Sequence, residues 1–320
     1  MNPVRWATVT LMAGCVLAAG CLSPTTGVFT DREISAAASR GRRAFAGGYA
    51  EVAAKAYRQA LMRARLLNDT AAVADCAYNL AACLTELGRY DEARRHLREA
   101  RGVWSASGRD SSALAEAWLL EAKILEAEDA GDEAACALEA ALKSLPPKNH
   151  GPVRSQIYAM QADLACAAGN LAAAREALRL ARRTASSGRR LSTPALALIE
   201  AVEGRVLLAE SRPAEAAARL QHAAEHFQQA RRYLEMAEAL LEAARAYDVA
   251  GQPGQAAELY LQAAASRQAR GDLVIALKII TAAVAAAEKT DNAALHAQVR
   301  AIFEEIRDRT EQACTTQCGR

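Results

Sequence analysis

The stretch that decides the fold is AVADCAYNLAACLTELGRYDEARRHLREAR, residues 72–101. It contains two alanine-rich segments with helical spacing of apolar residues, and Gly88 lies between them where a turn is needed. The second segment carries an alanine, a large apolar residue four positions on and another alanine three further, Ala93-Leu97-Ala100. Because residues at i, i+4 and i+7 share one face of a helix, the pattern predicts a packed helix–turn–helix pair.

The same pattern recurs along the chain at a period of about forty residues. Its six instances are Ala53-Tyr57-Ala60, Ala93-Leu97-Ala100, Ala134-Leu138-Ala141, Ala174-Leu178-Ala181, Ala216-Leu220-Ala223 and Ala256-Tyr260-Ala263. A fixed period of this size is typical of stacked two-helix units, none of which can bury its apolar face alone. Because such a body normally binds rather than catalyses, we expect an interaction protein.

The composition agrees with an all-α protein. Hydrophobic residues make up 52% of the chain but aromatic residues only 5%, since many of the hydrophobic residues are alanine. Alanine has the highest helix propensity and lets helices approach closely. The net charge of +2, without a run of lysine and arginine, argues against a nucleic-acid-binding protein.

The unit at 72–101 resembles a tetratricopeptide repeat (TPR). Leu80-Ala81-x-x-Leu84 matches the first helix of that repeat, and Gly88-Arg89-Tyr90 matches its turn. In the family, the small residues that correspond to Ala81 and Ala93 form the closest contact between the two helices, because a bulky side chain at either would push the helices apart. The resemblance implies a right-handed TPR-like helical solenoid of about six helix pairs.

The pattern also predicts the domain organisation. We assign the solenoid to residues 31–270, a pair of C-terminal capping helices to 271–312 and a cysteine-containing polar tail to 313–320. The repeats are longer than is usual in the family, and the surplus coincides with stretches rich in Gly, Ser and Pro at 102–112, 143–152 and 184–193. Longer helices and longer loops both fit this surplus.

The first 20 residues have the layout of a secretory signal peptide. Arg5 precedes an apolar stretch that is too short to span a bilayer, and small residues end it. Leu17-Ala18-Ala19-Gly20-Cys21 resembles a bacterial lipobox, which implies lipidation of Cys21. Cleavage without lipidation and an uncleaved membrane anchor are the alternatives. Leu22, where aspartate would be a retention signal, favours the outer membrane over the inner, with the solenoid facing the periplasm.

The tether between Cys21 and the solenoid is short. A capping box at Thr30-Asp31-Arg32-Glu33 predicts where the first helix begins. Residues 22–30 reach only about 30 Å when fully extended. We therefore expect the solenoid to lie close to the membrane.

The TPR resemblance also implies a binding site, since the first helix of each pair lines a concave groove in that family. The groove residues expected are Tyr78, Asn79, Leu119, Lys123, Met160, Asp163, Val202, Arg205, Leu241 and Arg245. They would present an apolar stripe beside a mixed, mildly basic ladder, which suits an amphipathic helix or extended segment of a protein partner with apolar anchors and a few acids. The alternative is that the apolar side chains pack between helices and the charges are solvated.

Other chemistry is less well supported. His222-Ala-Ala-Glu225-His226 matches the H-x-x-E-H string of a zinc-protease class, with Glu304 or Glu305 as a distant third ligand. The string lies in the second helix of the fifth pair, and a helical solenoid is not the fold of that class. We therefore expect no metal, no cofactor and no enzymatic activity.

The cysteines beyond Cys21 fall into two groups. Four of them are interpreted as small core residues in place of alanine, namely Cys76, Cys83, Cys136 and Cys166. Cys314 and Cys318 lie in the polar tail, where we expect a local disulfide because a free tail can adopt the geometry of a bridge.

These observations together predict a membrane-anchored scaffold of the bacterial cell envelope. It would hold partners in its groove, for the assembly of a secretion, pilus or outer-membrane complex. The alternative is a regulatory or adaptor module that senses peptides or activates a cell-wall enzyme.

Overall fold

The structure, a computed structural model, describes residues 31–107, 111–146, 151–186 and 193–318. Side chains are described within these ranges except at 111, 186 and 314–318. The predicted signal peptide, Cys21 and the tether lie outside the described residues. Within the described ranges the chain forms helices and no strand.

The helices follow one another in pairs. Their bounds are α1 Arg32–Ala46, α2 Ala50–Leu66, α3 Thr70–Glu86, α4 Tyr90–Ala106, α5 Ser111–Ala127, α6 Gly131–Ser144, α7 Gly151–Ala167, α8 Leu171–Ser186, α9 Thr193–Ala209, α10 Pro213–Gln229, α11 Tyr233–Val249, α12 Pro253–Ala269, α13 Leu273–Ala287 and α14 Ala293–Cys318. Most are 17 residues long. Longer helices and longer loops therefore both account for the extended period.

The recurring alanine pattern marks the packing face of each second helix. Its six instances lie in α2, α4, α6, α8, α10 and α12. All eighteen residues are buried, and the most exposed of them, Leu178, has only 6% of its surface accessible. The prediction of six stacked helix pairs is confirmed.

Every one of the six pairs has a glycine or alanine twelve residues before the first alanine of the pattern. The residues at this position are Gly41, Ala81, Ala122, Ala162, Gly204 and Ala244. At Gly204 an added Cβ would lie 2.6 Å from Leu220 Cγ, and at Gly41 it would lie 2.7 Å from Tyr57 Cε2. Glycine thus allows a large residue on the second helix to pack directly against the first helix.

Both ends of the fold differ from the expectation by a few residues. Asp31, not Thr30, caps α1, and its Oδ1 accepts hydrogen bonds from the backbone N–H groups of Glu33 at 2.9 Å and Ile34 at 3.0 Å. At the other end α14 continues to Cys318, so the prediction of a tail from residue 313 is wrong. Residues 302–318 contain no glycine or proline to stop the helix.

The apolar core is continuous at the two ends of the solenoid and divided in its middle. One cluster unites α1–α4 with part of α5, and another unites α9–α14. Two smaller clusters lie between them, centred on α5–α7 and on α7–α9. None of the described helices is both long and apolar enough to span a membrane.

The cysteines depart in part from the expected pattern. Cys76 and Cys83 are fully buried, and burial raises the thiol pKa of Cys76 to about 12. Cys136 is exposed and Cys166 is half-buried. The interpretation as core residues is therefore wrong for Cys136, which lies outside the packing face formed by Ala134, Leu138 and Ala141.

Candidate partner-binding site

The inner side of the solenoid is lined by the first helices of the pairs. Successive first helices contact one another from α1 through α3, α5 and α7 to α9. Successive second helices from α2 to α12 form no comparable contact among the described residues. Because the first helices lie closer to one another than the second helices do, the stack of pairs is curved. The side formed by the first helices is concave.

The apolar residues expected in the groove are core residues instead. Tyr78, Leu119, Met160 and Val202 have at most 5% of their surface accessible. Tyr78 packs on Trp104 with 5.6 Å between ring centroids. The prediction of an exposed apolar stripe is wrong at these positions, because neighbouring pairs pack against this side of each first helix.

Two further expected groove residues are occupied by contacts within the fold. Asn79 is 7% exposed, and its Nδ2 donates a hydrogen bond to the carbonyl oxygen of Asp75 at 2.7 Å. Leu241 is half-buried and packs against the C-terminal core. Neither residue is available as an anchor for a partner.

The charged residues of the predicted groove do lie together on the inner side. Arg205 of α9 forms ion pairs with Asp163 of α7 and with Glu242 of α11, the latter at 2.9 Å. One guanidinium thus connects three consecutive first helices. Burial disfavours its charge, but Asp163 and Glu242 outweigh that effect and raise the pKa of Arg205. Arg245, one turn beyond Glu242, is exposed.

Two further glutamates on this side, Glu86 and Glu126, lie among charges of both signs. Burial raises the pKa of Glu86, at the end of α3, and the neighbouring charge of Glu235 raises it further. Burial likewise raises the pKa of Glu126 of α5, with a further contribution from Asp163. Lys123 lies near both glutamates and opposes both shifts. By accessible surface Glu86 is exposed and Glu126 half-buried, and Arg270 and Arg205 also oppose the two shifts, yet both pKa values stay raised.

A second group of charges continues the inner surface toward the C-terminus. Arg267 of α12 forms ion pairs with Glu238 of α11 at 3.2 Å and with Asp272 at 3.4 Å. Burial raises the pKa of Glu238 despite that pairing. Beside Arg267, Gln268 donates a hydrogen bond to Glu305 of α14 at 2.7 Å.

The first and last parts of the solenoid meet across this surface. Gly48, in the turn between α1 and α2, lies so close to Arg270 that an added Cβ would be 2.6 Å from Arg270 Nη1. The pKa of Glu86 is influenced by Glu235 and Arg270, which lie on the far side of the sequence. The superhelix therefore returns on itself and encloses the inner charges laterally.

This arrangement can bind an extended, charged segment better than an apolar helix. The walls are carboxylates and guanidinium groups from α3, α5, α7, α9 and α11, and the apolar side chains lie beneath them. A lysine or arginine of a partner placed beside Glu86 and Glu126 would favour their ionised forms, which burial disfavours. Sequence reasoning missed both glutamates, although Glu126 follows the predicted Lys123 by one helical turn.

The zinc-like string forms no such site. His222 Nδ1 lies 3.5 Å from Glu225 Oε2, and both side chains are more than half exposed. Glu305 bonds to Gln268, and Glu304 pairs with Arg307. No group of three His, Cys, Asp or Glu among the described residues is arranged to hold a metal ion.

The expected disulfide remains a prediction. Cys314 and Cys318 lie one turn apart on α14 and not in a free tail. Their side chains are outside those that the structure describes.

Comparison with known proteins identifies the fold. No family model matches this sequence, and no curated protein matches it either. The structure of BtubC from P. vanneervenii aligns with a TM-score of 0.54 and 18% identity, over 69% of this chain and 90% of that one. A Signal Transduction ATPase with Numerous Domains protein from Pyrococcus horikoshii, which has a tetratricopeptide repeat sensor, aligns with a TM-score of 0.53 and 16% identity.

That second alignment covers 89% of this chain and 43% of the other protein, so this chain spans less than half of its length. The tetratricopeptide-like helical solenoid predicted from the sequence is confirmed.

Proposed function

We propose that this protein is a lipid-anchored scaffold of a bacterial cell envelope, which binds a protein partner on the inner surface of its solenoid. The anchor is Cys21, the membrane is the outer membrane, and the solenoid faces the periplasm. Support for this location comes from the signal-like leader and the lipobox-like sequence before Cys21. The role is binding and not catalysis.

The observation that carries the binding proposal is the pair of glutamates on the inner surface whose nearby cations do not cancel the effect of burial on their pKa values. Glu86 and Glu126 come from different repeats, and burial raises the pKa of both. Ionised carboxylates that a fold holds partly desolvated gain from a cationic ligand group. The partner is therefore an extended segment that carries lysine or arginine, in place of the apolar, acid-bearing segment expected from the sequence.

The proposal is tested by capturing the tagged full-length protein from its native cells after brief cross-linking. The inner variant is Glu86→Gln with Glu126→Gln, which removes two charges at sites where ionisation is disfavoured and so leaves the fold intact. The matched control is Glu133→Gln with Glu258→Gln, two exposed glutamates on the second helices α6 and α12. We expect the inner variant to lose a stoichiometric envelope partner about tenfold, a free-energy loss of about 1.4 kcal/mol, while the control retains it.

Retention of that partner by the inner variant would contradict the binding site. The anchor is tested separately by Cys21→Ser, which we expect to move the protein out of the membrane fraction. Capture of soluble cytoplasmic proteins alone would contradict the envelope location.

A further inference from the structure

The outer surface of the first repeat differs from that of the other repeats along one helix face. Val52, Met62 and Leu66 of α2 are 60%, 59% and 76% exposed. With Lys55 and Gln59, which are also exposed, they occupy positions that share one side of the helix. We call these five residues the α2 stripe. From Val52 to Leu66 the stripe extends for about 21 Å along the helix.

The register of the repeats shows that this apolar character is not part of the repeat pattern. The residues that correspond to Val52 in the other five pairs are Glu92, Glu133, Ala173, Glu215 and Gln255. Those that correspond to Met62 are Gly102, Lys143, Arg183, Glu225 and Ala265. A large apolar residue therefore occurs at these two positions only in the first pair. An exposed patch of this kind marks an interaction surface more often than does a scattered apolar residue.

The first repeat, which carries the stripe, is basic. Residues 31–69 contain eight Lys and Arg and four Asp and Glu, a net charge of +4, whereas the whole chain carries +2. Six of the eight cations form no ion pair within the described structure, namely Arg32, Arg40, Arg42, Arg43, Lys55 and Arg58. Arg40 reaches the stripe itself, since its Nη2 donates to Gln59 Oε1 at 3.4 Å.

An apolar helix face flanked by uncompensated cations matches the chemistry of an anionic bilayer surface. Apolar side chains enter the boundary between headgroups and acyl chains, and Lys and Arg interact with the phosphates. Continuity with the chain supports the same partner, because α1 begins eleven residues after Cys21. The first pair is thus the part of the solenoid nearest to the proposed lipid anchor.

We propose that the α2 stripe docks the first repeat on the surface of an anionic phospholipid membrane. This inference rests on the proposed envelope function, since it supplies a second membrane contact beside the lipid on Cys21. Two contacts would restrict the orientation of the solenoid, whereas one flexible tether would not. The inner surface, on the opposite side of the first helices, would then stay open to the periplasm.

The test measures co-flotation of a chain that begins at Leu22 with vesicles of phosphatidylcholine, with or without one quarter phosphatidylglycerol. This chain includes every described helix and core residue, because the core begins at Ile34. It lacks both the leader and the acylated cysteine. We expect binding to the anionic vesicles at least tenfold stronger than to the neutral ones, and a marked loss of binding in 0.5 M salt, because screening weakens the contact with headgroups to a Debye length of about 4 Å.

The decisive variant is Val52→Glu, Met62→Glu and Leu66→Glu combined, which we expect to bind anionic vesicles at least tenfold more weakly. Its matched control is Gln255→Glu, Ala265→Glu and Ala269→Glu, three exposed residues at the same register positions of α12. The control adds the same charge and should stay within twofold of the wild type. Circular dichroism verifies that both variants keep their helical content.

Three outcomes would overturn the proposal: equal binding to neutral and anionic vesicles, no binding at all, and undiminished binding of the stripe variant. A dimer that sedimentation detects and the stripe variant abolishes would also overturn it, since the stripe would then be an interface between copies of this chain. These results are independent of partner capture and of the Cys21→Ser fractionation. A failure here therefore leaves the proposed function to its own test.

Discussion

The junctions between repeats at the ends of the solenoid are built differently from those in its middle. At the ends, three residues connect α2 to α3, α10 to α11 and α12 to α13, and each connection contains one residue with positive φ, Asn68, Arg231 or Gly271. In the middle, four to six residues connect α4 to α5, α6 to α7 and α8 to α9. The helices joined by short connections contact each other much more extensively.

The two kinds of junction also use different interactions. At the ends a continuous alanine-rich core crosses from one repeat to the next. In the middle the apolar core is divided into smaller clusters, and arginine–carboxylate pairs cross the junctions beside them. Arg101 pairs with Glu121 at 2.8 Å, where the guanidinium also lies 3.9 Å from the centroid of the Trp118 ring, and Arg182 pairs with Glu200 at 3.4 Å. Ion pairs at a partly exposed surface stabilise less than buried apolar contacts do. The middle repeats should therefore open more readily than the ends.

The largest expected effect compares one register position in the two regions. Leu220 of α10 lies in the continuous C-terminal core, and Leu178 of α8 lies in a small central cluster. We expect Leu220→Ala to lower the free energy of unfolding by about 3 kcal/mol, because a well-packed site leaves a larger cavity. Leu178→Ala should cost about half as much. Urea denaturation followed by circular dichroism measures both, and equal losses would remove the distinction between the regions.

An intermediate effect is expected from reversing the charge that connects the middle repeats. Arg205→Glu would bring a fourth acid among Glu126, Asp163 and Glu242. Since Arg205 is partly exposed, we expect a loss of about 1–2 kcal/mol in the free energy of unfolding, less than for a fully buried pair. Arg245→Glu, at an exposed position, is the control and should be close to neutral. Equal stability of the two variants would mean that the inner ion pairs do not hold the middle junctions together.

The smallest expected effect is a difference in pH dependence between two carboxylates, Glu126 and Glu210. Burial raises the pKa of Glu126, whereas the hydrogen bond from Arg175 lowers the pKa of Glu210. A raised carboxyl pKa means that ionisation costs stability above that pKa and that the cost disappears below the ordinary value of 4.5. Glu126→Gln should therefore be more stable than the wild type at pH 7 and equal to it near pH 4.

Glu210 should behave in the opposite way. Glu210→Gln should be less stable than the wild type at pH 7, because the contribution of a lowered pKa is fully present above the ordinary value. Its deficit should disappear as the pH falls through the lowered pKa. Urea midpoints measured from pH 7 to pH 3 test the two variants together, and shifts of the same sign at pH 7 would contradict the assignment.

Much of the local structure could be predicted from the sequence. The six alanine patterns predict the second helix in each of the six pairs, and Ala81 predicts where the two helices of its pair pack together. The prediction of a polar tail from residue 313 is wrong, because the polar sequence up to Cys318 contains no glycine or proline to end the last helix. The prediction that Cys136 is a core residue is also wrong, since a small residue near a packing alanine can face either the core or water.

The candidate site was predicted only in part. The register predicts that Asp163 and Arg205 lie on the same side of successive first helices, and the structure brings them together as an ion pair. Their pairing, and the burial of Tyr78, Leu119, Met160 and Val202, depends on how closely neighbouring pairs stack. The proposed membrane surface on α2 also needed the structure, because exposure of Val52, Met62 and Leu66 is a property of the packed solenoid.

The sequence by itself determined the helices, their pairing and the period, because these depend on contacts between residues that lie within about one repeat of each other. Tertiary structure decided which charges meet on the inner surface and that Gly48 comes to lie against Arg270. Each repeat is rotated slightly against the last, and the rotations accumulate over six repeats. Small differences between tightly and loosely packed junctions, which no single motif records, therefore decide where the two ends of the solenoid meet.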